Sequence, residues 1–351
     1  MKYPEILSFE DVLQRLDQFD AIIDARSPSE YALDHLPGAI NCPVLDDEQR
    51  IKVGTLYKQV NSFEAKKVGA ALVAKNIGMH LEALWLDKPR DWKPLIYCWR
   101  GGNRSGSMAH VLARVGWPVA QLDGGYKAFR NHVNLALEQP PALAFRVICG
   151  TTGTGKSRLL ETLHAAGAQV LDLERLASHR GSVLGNLPSQ PQPTQKAFET
   201  SIWNTLRKFD PERPVFVESE SKKVGQLRVP TALMDTMRAS SCVSLQLSRA
   251  NRVRLLMEDY AHFTAHPESL NEQLEHLTPL HGREKITRWQ QMARGGEMAQ
   301  LVEELLIHHY DPAYLRSIDR NFVKFDEAEV LTLDDIAPAD FEAAARHLNQ
   351  A

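Results

Sequence analysis

Residues 150 to 157 read Gly-Thr-Thr-Gly-Thr-Gly-Lys-Ser and match the phosphate-binding pattern GxxxxGK(S/T) at every fixed position. The apolar run Phe145 to Cys149 precedes them, and a helical pattern, Lys156 to Ala166, overlaps their end. A strand, a glycine-rich turn and a helix in this order are typical of a parallel α/β sheet. We therefore predict an α/β domain whose loop binds a pyrophosphate. The residues predicted to bind it are Gly150, Thr151, Thr152, Gly153, Thr154, Gly155, Lys156 and Ser157.

A second loop with the character of an anion site occupies residues 98 to 105, where the chain reads Cys-Trp-Arg-Gly-Gly-Asn-Arg-Ser. It follows the apolar run Leu95 to Tyr97 and precedes a helical pattern, Ser105 to Val115. Backbone N–H groups and the positive end of the helix would face the sulfur of Cys98 and favour a thiolate. We predict that Cys98 is a nucleophile and that its loop holds a persulfide, perselenide or phosphate. The predicted anion cradle is Arg100, Gly101, Gly102, Asn103, Arg104 and Ser105.

Length and paired prolines divide the chain. With 351 residues, of which 43% are hydrophobic, two cores are expected. Pro140 and Pro141 would stop the helix that the pattern of Ala128 to Leu137 predicts, so the predicted domains are residues 1–138 and 142–351. Gly181 to Gln195 is predicted to be a loop, and the chain from Asn251 onward to be largely helical. The predicted strands are Ala21 to Ile23, Leu95 to Tyr97, Val119 to Leu122, Phe145 to Cys149, Gln169 to Leu173, Pro214 to Val217 and Val243 to Leu247.

Charge and cysteine content restrict the class of protein. The net charge is -3, so a nucleic acid partner would have to be met by a local basic surface. The four cysteines lie far apart without a CxxC pair, so neither a zinc site nor a disulfide framework is predicted. The sequence has no signal-like N-terminus and no long apolar run, and a cytoplasmic protein without a membrane partner is expected.

Three segments of the first half resemble the rhodanese domain. They are Asp24-Ala25-Arg26-Ser27-Pro28-Ser29-Glu30-Tyr31, His35-Leu36-Pro37-Gly38-Ala39-Ile40-Asn41 and Leu122-Asp123-Gly124-Gly125-Tyr126-Lys127-Ala128-Phe129. Cys98 then stands where that domain carries its persulfide-forming cysteine. The spacing from Cys98 to Arg104 is C-x5-R, whereas the usual rhodanese loop is C-x4-R. The longer loop suits a larger anion and also matches a phosphatase signature. A C-x5-R phosphatase, or a persulfide carrier coupled to a nucleotide-binding P-loop domain, therefore stays open.

A rhodanese domain fused to a P-loop resembles one family, the tRNA 2-selenouridine synthases. The likeness runs from Ile23 to about Gly225 and includes Asp172-Leu173-Glu174, His179-Arg180-Gly181-Ser182 and Gln190 to Lys196. It implies an α/β fold: an N-terminal rhodanese-like domain followed by a P-loop NTPase-like α/β domain with a helical C-terminal part. It also implies two steps on the wobble uridine of tRNA. A geranyl group from geranyl diphosphate is placed on the sulfur of 2-thiouridine, and selenium from selenophosphate then replaces that sulfur.

The two loops suggest a division of labour for this implied reaction. The P-loop would bind the diphosphate, and Cys98 would carry selenium as a perselenide. The substrates are then selenophosphate and geranyl diphosphate, with Mg²⁺ as a companion of the diphosphate and no tightly bound cofactor. The expected partners are tRNA and an enzyme that supplies selenophosphate, but not DNA.

Further candidate residues follow strands of the P-loop domain, where parallel sheets place ligand groups. Those that could contact diphosphate, magnesium or tRNA are Asp172, Glu174, His179, Arg180 and Glu218. Those that could contact the tRNA backbone are Lys222, Lys223, Arg228, Arg249, Arg252 and Arg254. The pair His308-His309 is interpreted as structural, because adjacent helical residues point about 100° apart.

Overall fold

The computed structural model describes residues 3–181, 185, 190–261, 263 and 266–350. The chain divides into two compact units, residues Met1–Ala136 with Pro193–Trp203, and residues Leu137–Gln192 with Asn204–Ala351. The first boundary lies next to the prolines from which the sequence predicted a division. The sequence did not indicate that Pro193–Trp203 would belong to the first unit.

The first unit contains a sheet of five parallel strands in the order β1-β5-β4-β2-β3. The strands predicted at Ala21, Leu95 and Val119 are confirmed as β2, β4 and β5. Its strands are β1 Glu5–Leu7, β2 Ala21–Asp24, β3 Ala39–Asn41, β4 Pro94–Tyr97 and β5 Ala120–Leu122. Its helices are α1 Phe9–Gln14, α2 Pro28–Leu33, α3 Asp47–Gln59, α4 Ser62–His80, α5 Asn103–Val115 and α6 Gly125–Glu138.

The second unit contains another sheet of five parallel strands, in the order β12-β11-β6-β8-β7. Its strands are β6 Phe145–Cys149, β7 Gln169–Leu171, β8 Val215–Glu218, β11 Ser241–Leu247 and β12 Glu329–Leu333, and β9 Lys223–Val224 pairs with β10 Leu227–Arg228 as a hairpin. The helices that follow in the chain are α7 Lys156–Ala165, α8 Leu173–Leu176, α9 Gln195–Leu206, α10 Thr231–Arg238, α11 Arg249–Asp259, α12 Pro267–Glu275, α13 Thr278–His281, α14 Arg283–Arg294, α15 Met298–Leu305, α16 Asp311–Asn321 and α17 Pro338–Gln350. Of these, α9 lies mostly in the first unit and the others lie in the second. The predicted α/β class is confirmed for both units.

Two details of the second unit differ from the sequence prediction. Strand β12 lies in the region predicted to be largely helical. The sequence analysis missed it because its five residues form only a short alternating pattern at the sheet edge, where Val330 is 60% exposed. The predicted loop Gly181 to Gln195 ends one residue early, since Gln195 begins α9. Residues 182–184 and 186–189 of that loop, including Ser182, lie outside the described residues.

Apolar packing holds helices against the sheet of the second unit. In the second unit, Leu159 and Leu163 of α7 pack with Phe216 of β8 and with Phe341 of α17 in one buried cluster. Helices α12, α14 and α15 form a separate apolar cluster around the fully buried Trp289. Every helix in the described ranges is too short or too polar to span a membrane.

Candidate functional site

Cys98 lies where β4 ends and α5 is about to begin, as the sequence predicted. Its side chain is buried, and the Ser105 hydroxyl donates a hydrogen bond to Cys98 Sγ at 3.2 Å. The sulfur is 4.0 Å from the carbonyl oxygen of Gly102, the residue before α5. Sγ therefore lies beside the first turn of a 13-residue helix, whose positive end favours an anion.

Glycines allow the Cys98 loop and the segment after β5 to approach each other closely. Gly101 has a φ of 66° and Gly125 a φ of 55°. A Cβ on Gly125 would be 2.2 Å from the carbonyl oxygen of Cys98, so this position excludes any side chain. The N–H of Tyr126 donates to that same carbonyl oxygen at 2.8 Å. The second segment thus holds the cysteine loop in shape, which gives the rhodanese-like glycine pair a physical role.

The two arginines of the loop have different surroundings. Arg104 donates to both carboxylate oxygens of Glu30, at 2.7 and 3.3 Å, and is only 23% exposed. Arg100 is exposed, as are Gly102 and Asn103. Because Glu30 neutralises Arg104, the guanidinium charge available to a bound anion comes from Arg100 rather than from both arginines.

A buried polar network supports the end of β4 next to Cys98. Arg26 donates to Asp24 through Nε at 3.0 Å and Nη2 at 2.6 Å, and both side chains are fully buried. The Tyr97 hydroxyl donates to the same carboxylate at 2.7 Å, and burial raises the pKa of Tyr97. Asp24 and Arg26 belong to the first rhodanese-like segment, so their part of that pattern reflects support of the loop rather than contact with a substrate.

The P-loop has a tightly packed backbone. Gly153 and Gly155 adopt φ values of 81° and 87°. A Cβ on Gly150 would lie 2.8 Å from the carbonyl oxygen of Leu245, and one on Gly155 would lie 2.7 Å from the Phe341 ring. Lys156 Nζ donates to the Gly150 carbonyl oxygen at 2.7 Å and lies over the Tyr314 ring. The motif therefore forms a glycine-dependent loop with its lysine at the loop mouth, the arrangement that suits a pyrophosphate.

Arg252 requires a correction. It was predicted to contact tRNA, but its side chain is buried, at 6% exposure. Its Nε donates to the Thr152 carbonyl oxygen at 2.9 Å, and its guanidinium forms an ion pair with Asp311 at 2.5 Å. A buried guanidinium that is already paired cannot reach a phosphate of a large substrate. Arg252 instead supports the P-loop from behind.

Four acidic residues lie beside the P-loop. Ser157 Oγ donates to Glu174 at 3.1 Å, and Glu218 accepts from the Glu174 N–H at 3.0 Å. Burial, followed by the charge of Asp172, raises the pKa of Glu218 well above its ordinary value. Burial and then the charge of Glu174 raise the pKa of Glu220 to about 8. The cluster therefore holds protons that a nearby cation would displace.

This cluster can be tested against the needs of Mg²⁺. Among the described residues, no three His, Cys, Asp or Glu side chains are arranged to hold a metal by themselves. Mg²⁺, however, commonly takes one or two carboxylates and completes its shell with phosphates and water. Glu218 Oε2 is buried and has no hydrogen-bond partner in the described part of the chain. Ser157 and Glu174 line the P-loop pocket, and Glu218 is hydrogen-bonded to the Glu174 N–H, so this donor set fits a cation that accompanies a diphosphate.

The raised pKa of Glu220 predicts a pH-dependent stability. The unfolded chain releases this proton near pH 4.5, whereas the folded chain keeps it to about pH 8, so raising the pH across this interval favours unfolding. In chelator, the midpoint of thermal unfolding of Glu220→Gln should therefore rise relative to the wild type as the pH increases. The exposed Glu272→Gln is the matched control and should follow the wild type. If the difference in unfolding midpoint between Glu220→Gln and the wild type did not change with pH, the raised pKa of Glu220 would be contradicted.

One pocket collects several of the predicted residues. Its walls include Gly153, Gly155, Lys156, Ser157, Glu174, Arg180, Glu220, Tyr260, Tyr310 and Tyr314. The Tyr314 hydroxyl accepts a hydrogen bond from the Gly150 N–H at 2.6 Å. The residues around Tyr314 in the sequence give no indication of this contact. Arg180 lies over the Tyr260 ring and 3.8 Å from Asp259. The structure thus brings the P-loop lysine and serine together with Glu174 and Arg180.

The remaining predicted residues have different surroundings in this unit. Asp172 caps α8 by accepting from the Arg175 N–H at 2.8 Å. His179 is buried against Gly225 at the β9–β10 hairpin. His309 lies 3.0 Å from His281, nitrogen to nitrogen, consistent with the structural interpretation of this histidine. The predicted tRNA-contacting residues that are exposed are Lys222, Lys223, Arg228, Arg249 and Arg254.

These folds and sites define a class of protein: a rhodanese-like domain with a cysteine loop, followed in the same chain by a P-loop domain with an acidic pocket. The profile of the family described as the tRNA 2-selenouridine synthase AAA domain matches residues 143–329, and that of the rhodanese-like domain matches residues 8–132. The chain belongs to the tRNA 2-selenouridine synthase family.

Curated relatives agree with this membership. A tRNA 2-selenouridine synthase of Nitrosomonas europaea is 35% identical over 268 residues, which cover 74% of this chain and 68% of that protein. One from Nitrosomonas eutropha is 31% identical and covers 86% of this chain and 89% of that protein. One from Cupriavidus pinatubonensis is 33% identical, with 84% and 87% covered.

Proposed function

We propose that this chain converts 2-thiouridine to 2-selenouridine at the wobble position of tRNA in two steps. As a member of its family it is an enzyme of tRNA modification. The proposal depends on one observation: this chain has both a buried cysteine next to a helix N-terminus and a P-loop whose lysine lines a polar pocket. One site suits selenium chemistry and the other a diphosphate.

The first step is geranylation. The thiocarbonyl sulfur of 2-thiouridine attacks the carbon of geranyl diphosphate that bears the diphosphate, inorganic diphosphate leaves, and the base releases its N3 proton to solvent. Lys156 and the backbone N–H groups of the P-loop stabilise the negative charge that develops on the leaving diphosphate. Ser157, Glu174 and Glu218 would hold a Mg²⁺ ion there, which would supply further neutralisation of that charge.

The second step replaces sulfur by selenium. Alkylation makes the sulfur a thiol leaving group, so selenium can add at C2 and geranylthiol can depart. Selenophosphate is hydrolysed to phosphate and hydroselenide. Hydroselenide attacks Cys98, held as a mixed disulfide with a cellular thiol, so that a Cys98 perselenide forms beside the first turn of α5 and the thiol leaves. After the perselenide has displaced geranylthiol at C2, the cellular thiol attacks Cys98 Sγ, which leaves selenium on the base and restores the mixed disulfide. Ser105, which donates to Cys98 Sγ, is placed to stabilise the anionic forms of this group.

The proposed function is tested by the nucleosides of cellular tRNA. Cells that lack the gene should lose 2-selenouridine, and the wild-type gene should restore it. Mass spectrometry of digested tRNA provides the measurement. An unchanged level of 2-selenouridine would contradict the proposal and would favour the phosphatase alternative.

The exposed cations of α11 predict a salt-dependent affinity for tRNA. Arg249 and Arg254 are exposed, and each phosphate interaction that alanine removes should flatten the slope of log affinity against log salt by about 0.7–0.9. We expect Arg249→Ala/Arg254→Ala to weaken tRNA binding and to flatten the slope by roughly one to two units. The matched control replaces two other exposed cations, Lys208 and Arg283, by alanine. An unaltered slope in the first variant would remove α11 from the RNA-binding surface.

A further inference from the structure

An apolar cavity lies beside the P-loop in the second unit. Side chains from α11, α12 and α15 line it, among them Met257, Leu270, Leu301 and Leu305. Its enclosed volume is about 60 Å³, so a chain of several carbons would enter it with movement of the side chains that line it. Mainly apolar walls next to a few polar groups are typical of sites for small ligands.

The cavity adjoins the polar pocket of the P-loop. Thr152 of the P-loop itself, together with Leu256, Tyr260 and Tyr310, lines both spaces. A ligand whose phosphates lie at Lys156 would therefore meet apolar walls immediately next to them. Such a neighbourhood suits a molecule with an anionic head and an apolar tail.

The P-loop backbone and the cavity wall are packed directly against each other. A Cβ on Gly153 would lie 2.9 Å from the Leu256 side chain and 3.2 Å from the Arg252 carbonyl oxygen. Helix α11 thus contacts the P-loop and, with Leu256 and Met257, forms part of the cavity wall. Both of these side chains, and Val302 on α15, are only half-buried, unlike the fully buried Leu301. The cavity wall therefore has apolar surface that a ligand could cover.

We propose that this cavity binds the apolar chain of an isoprenoid diphosphate and limits the length of that chain. The inference rests on the proposed function, in which the P-loop holds the diphosphate of geranyl diphosphate. The P-loop then binds the diphosphate group of the ligand, and the cavity discriminates between isoprenoid chains of different length. Because each methylene removed from water strengthens binding severalfold, chain length should control affinity.

Val302→Phe tests the proposal by filling part of the cavity. The probes are geranyl diphosphate, dimethylallyl diphosphate and inorganic diphosphate, with affinities measured by calorimetry on the full chain. We expect geranyl diphosphate to bind at least about tenfold more weakly, while inorganic diphosphate stays within about twofold. Ile307→Phe is the matched control, because Ile307 is an exposed apolar residue close by in the chain and does not line the cavity. It should bind all three probes as the wild type does.

A second variant covers the case in which Val302→Phe does not fold. Met257→Ala widens the cavity and should shift the preference towards farnesyl diphosphate. Unchanged chain-length preference in the folded variants would overturn this inference and leave the proposed function intact. A wild-type protein that binds inorganic diphosphate but no geranyl diphosphate would instead overturn the proposed function and this inference with it.

Discussion

Replacing Cys98 by serine is expected to reduce selenium transfer to tRNA on the order of 10³-fold or more, the scale seen when a catalytic nucleophile is removed. Serine keeps the size of the side chain and can hydrogen-bond to Ser105, but it lacks a polarisable sulfur that can bind selenium. Geranylation should continue, so S-geranyl-2-thiouridine should accumulate. Mass spectrometry of the nucleosides, with RNA affinity measured in parallel, would separate the two steps.

Cys42→Ala is the matched control for Cys98→Ser. Cys42 is a buried thiol of the same unit, and burial raises its pKa to about 11, so it is inert at neutral pH. Its replacement should leave selenium transfer near the wild-type rate. Normal 2-selenouridine formation by Cys98→Ser would contradict the role proposed for this cysteine.

Replacing Lys156 by alanine is expected to reduce geranylation by about 10²-fold or more. The substitution removes the charge that faces the leaving diphosphate, while the P-loop backbone keeps its glycine-dependent shape. RNA that already carries S-geranyl-2-thiouridine, supplied with selenophosphate, should bypass the defect. Product formation with and without this pre-formed intermediate is the measurement.

Lys208→Ala is the matched control for Lys156→Ala. Lys208 is an exposed lysine of the same unit. The Lys208→Ala protein should geranylate 2-thiouridine at the wild-type rate. A Lys156→Ala protein that geranylates 2-thiouridine at the wild-type rate would show that the P-loop is not the prenyl diphosphate site.

Much of the fold could be predicted because its signals are local. A buried strand, a glycine-rich turn and a helix follow one another at both Cys98 and Gly150, so neighbouring residues alone indicate the architecture. The glycine pair after β5 was recognisable by resemblance. Its physical reason, the 2.2 Å approach to the Cys98 carbonyl oxygen, needs the folded chain.

The missed features depend on residues that are distant in the sequence. Arg252 looked like a surface cation after a strand, and only its ion pair with Asp311, 59 residues later, shows that it is buried. Tyr314 reaches the N–H of Gly150 from 164 residues away. The apolar cavity was also invisible, because leucines at helical spacing predict a core equally well.

The central claim is that geranylation must precede selenium transfer. It is tested most directly by incubating the purified protein with an anticodon stem-loop RNA that contains 2-thiouridine, selenophosphate and a thiol reductant, with or without geranyl diphosphate. Mass spectrometry of the nucleosides should find 2-selenouridine and free geranylthiol only when geranyl diphosphate is present. Equal amounts of 2-selenouridine in its absence would contradict the account.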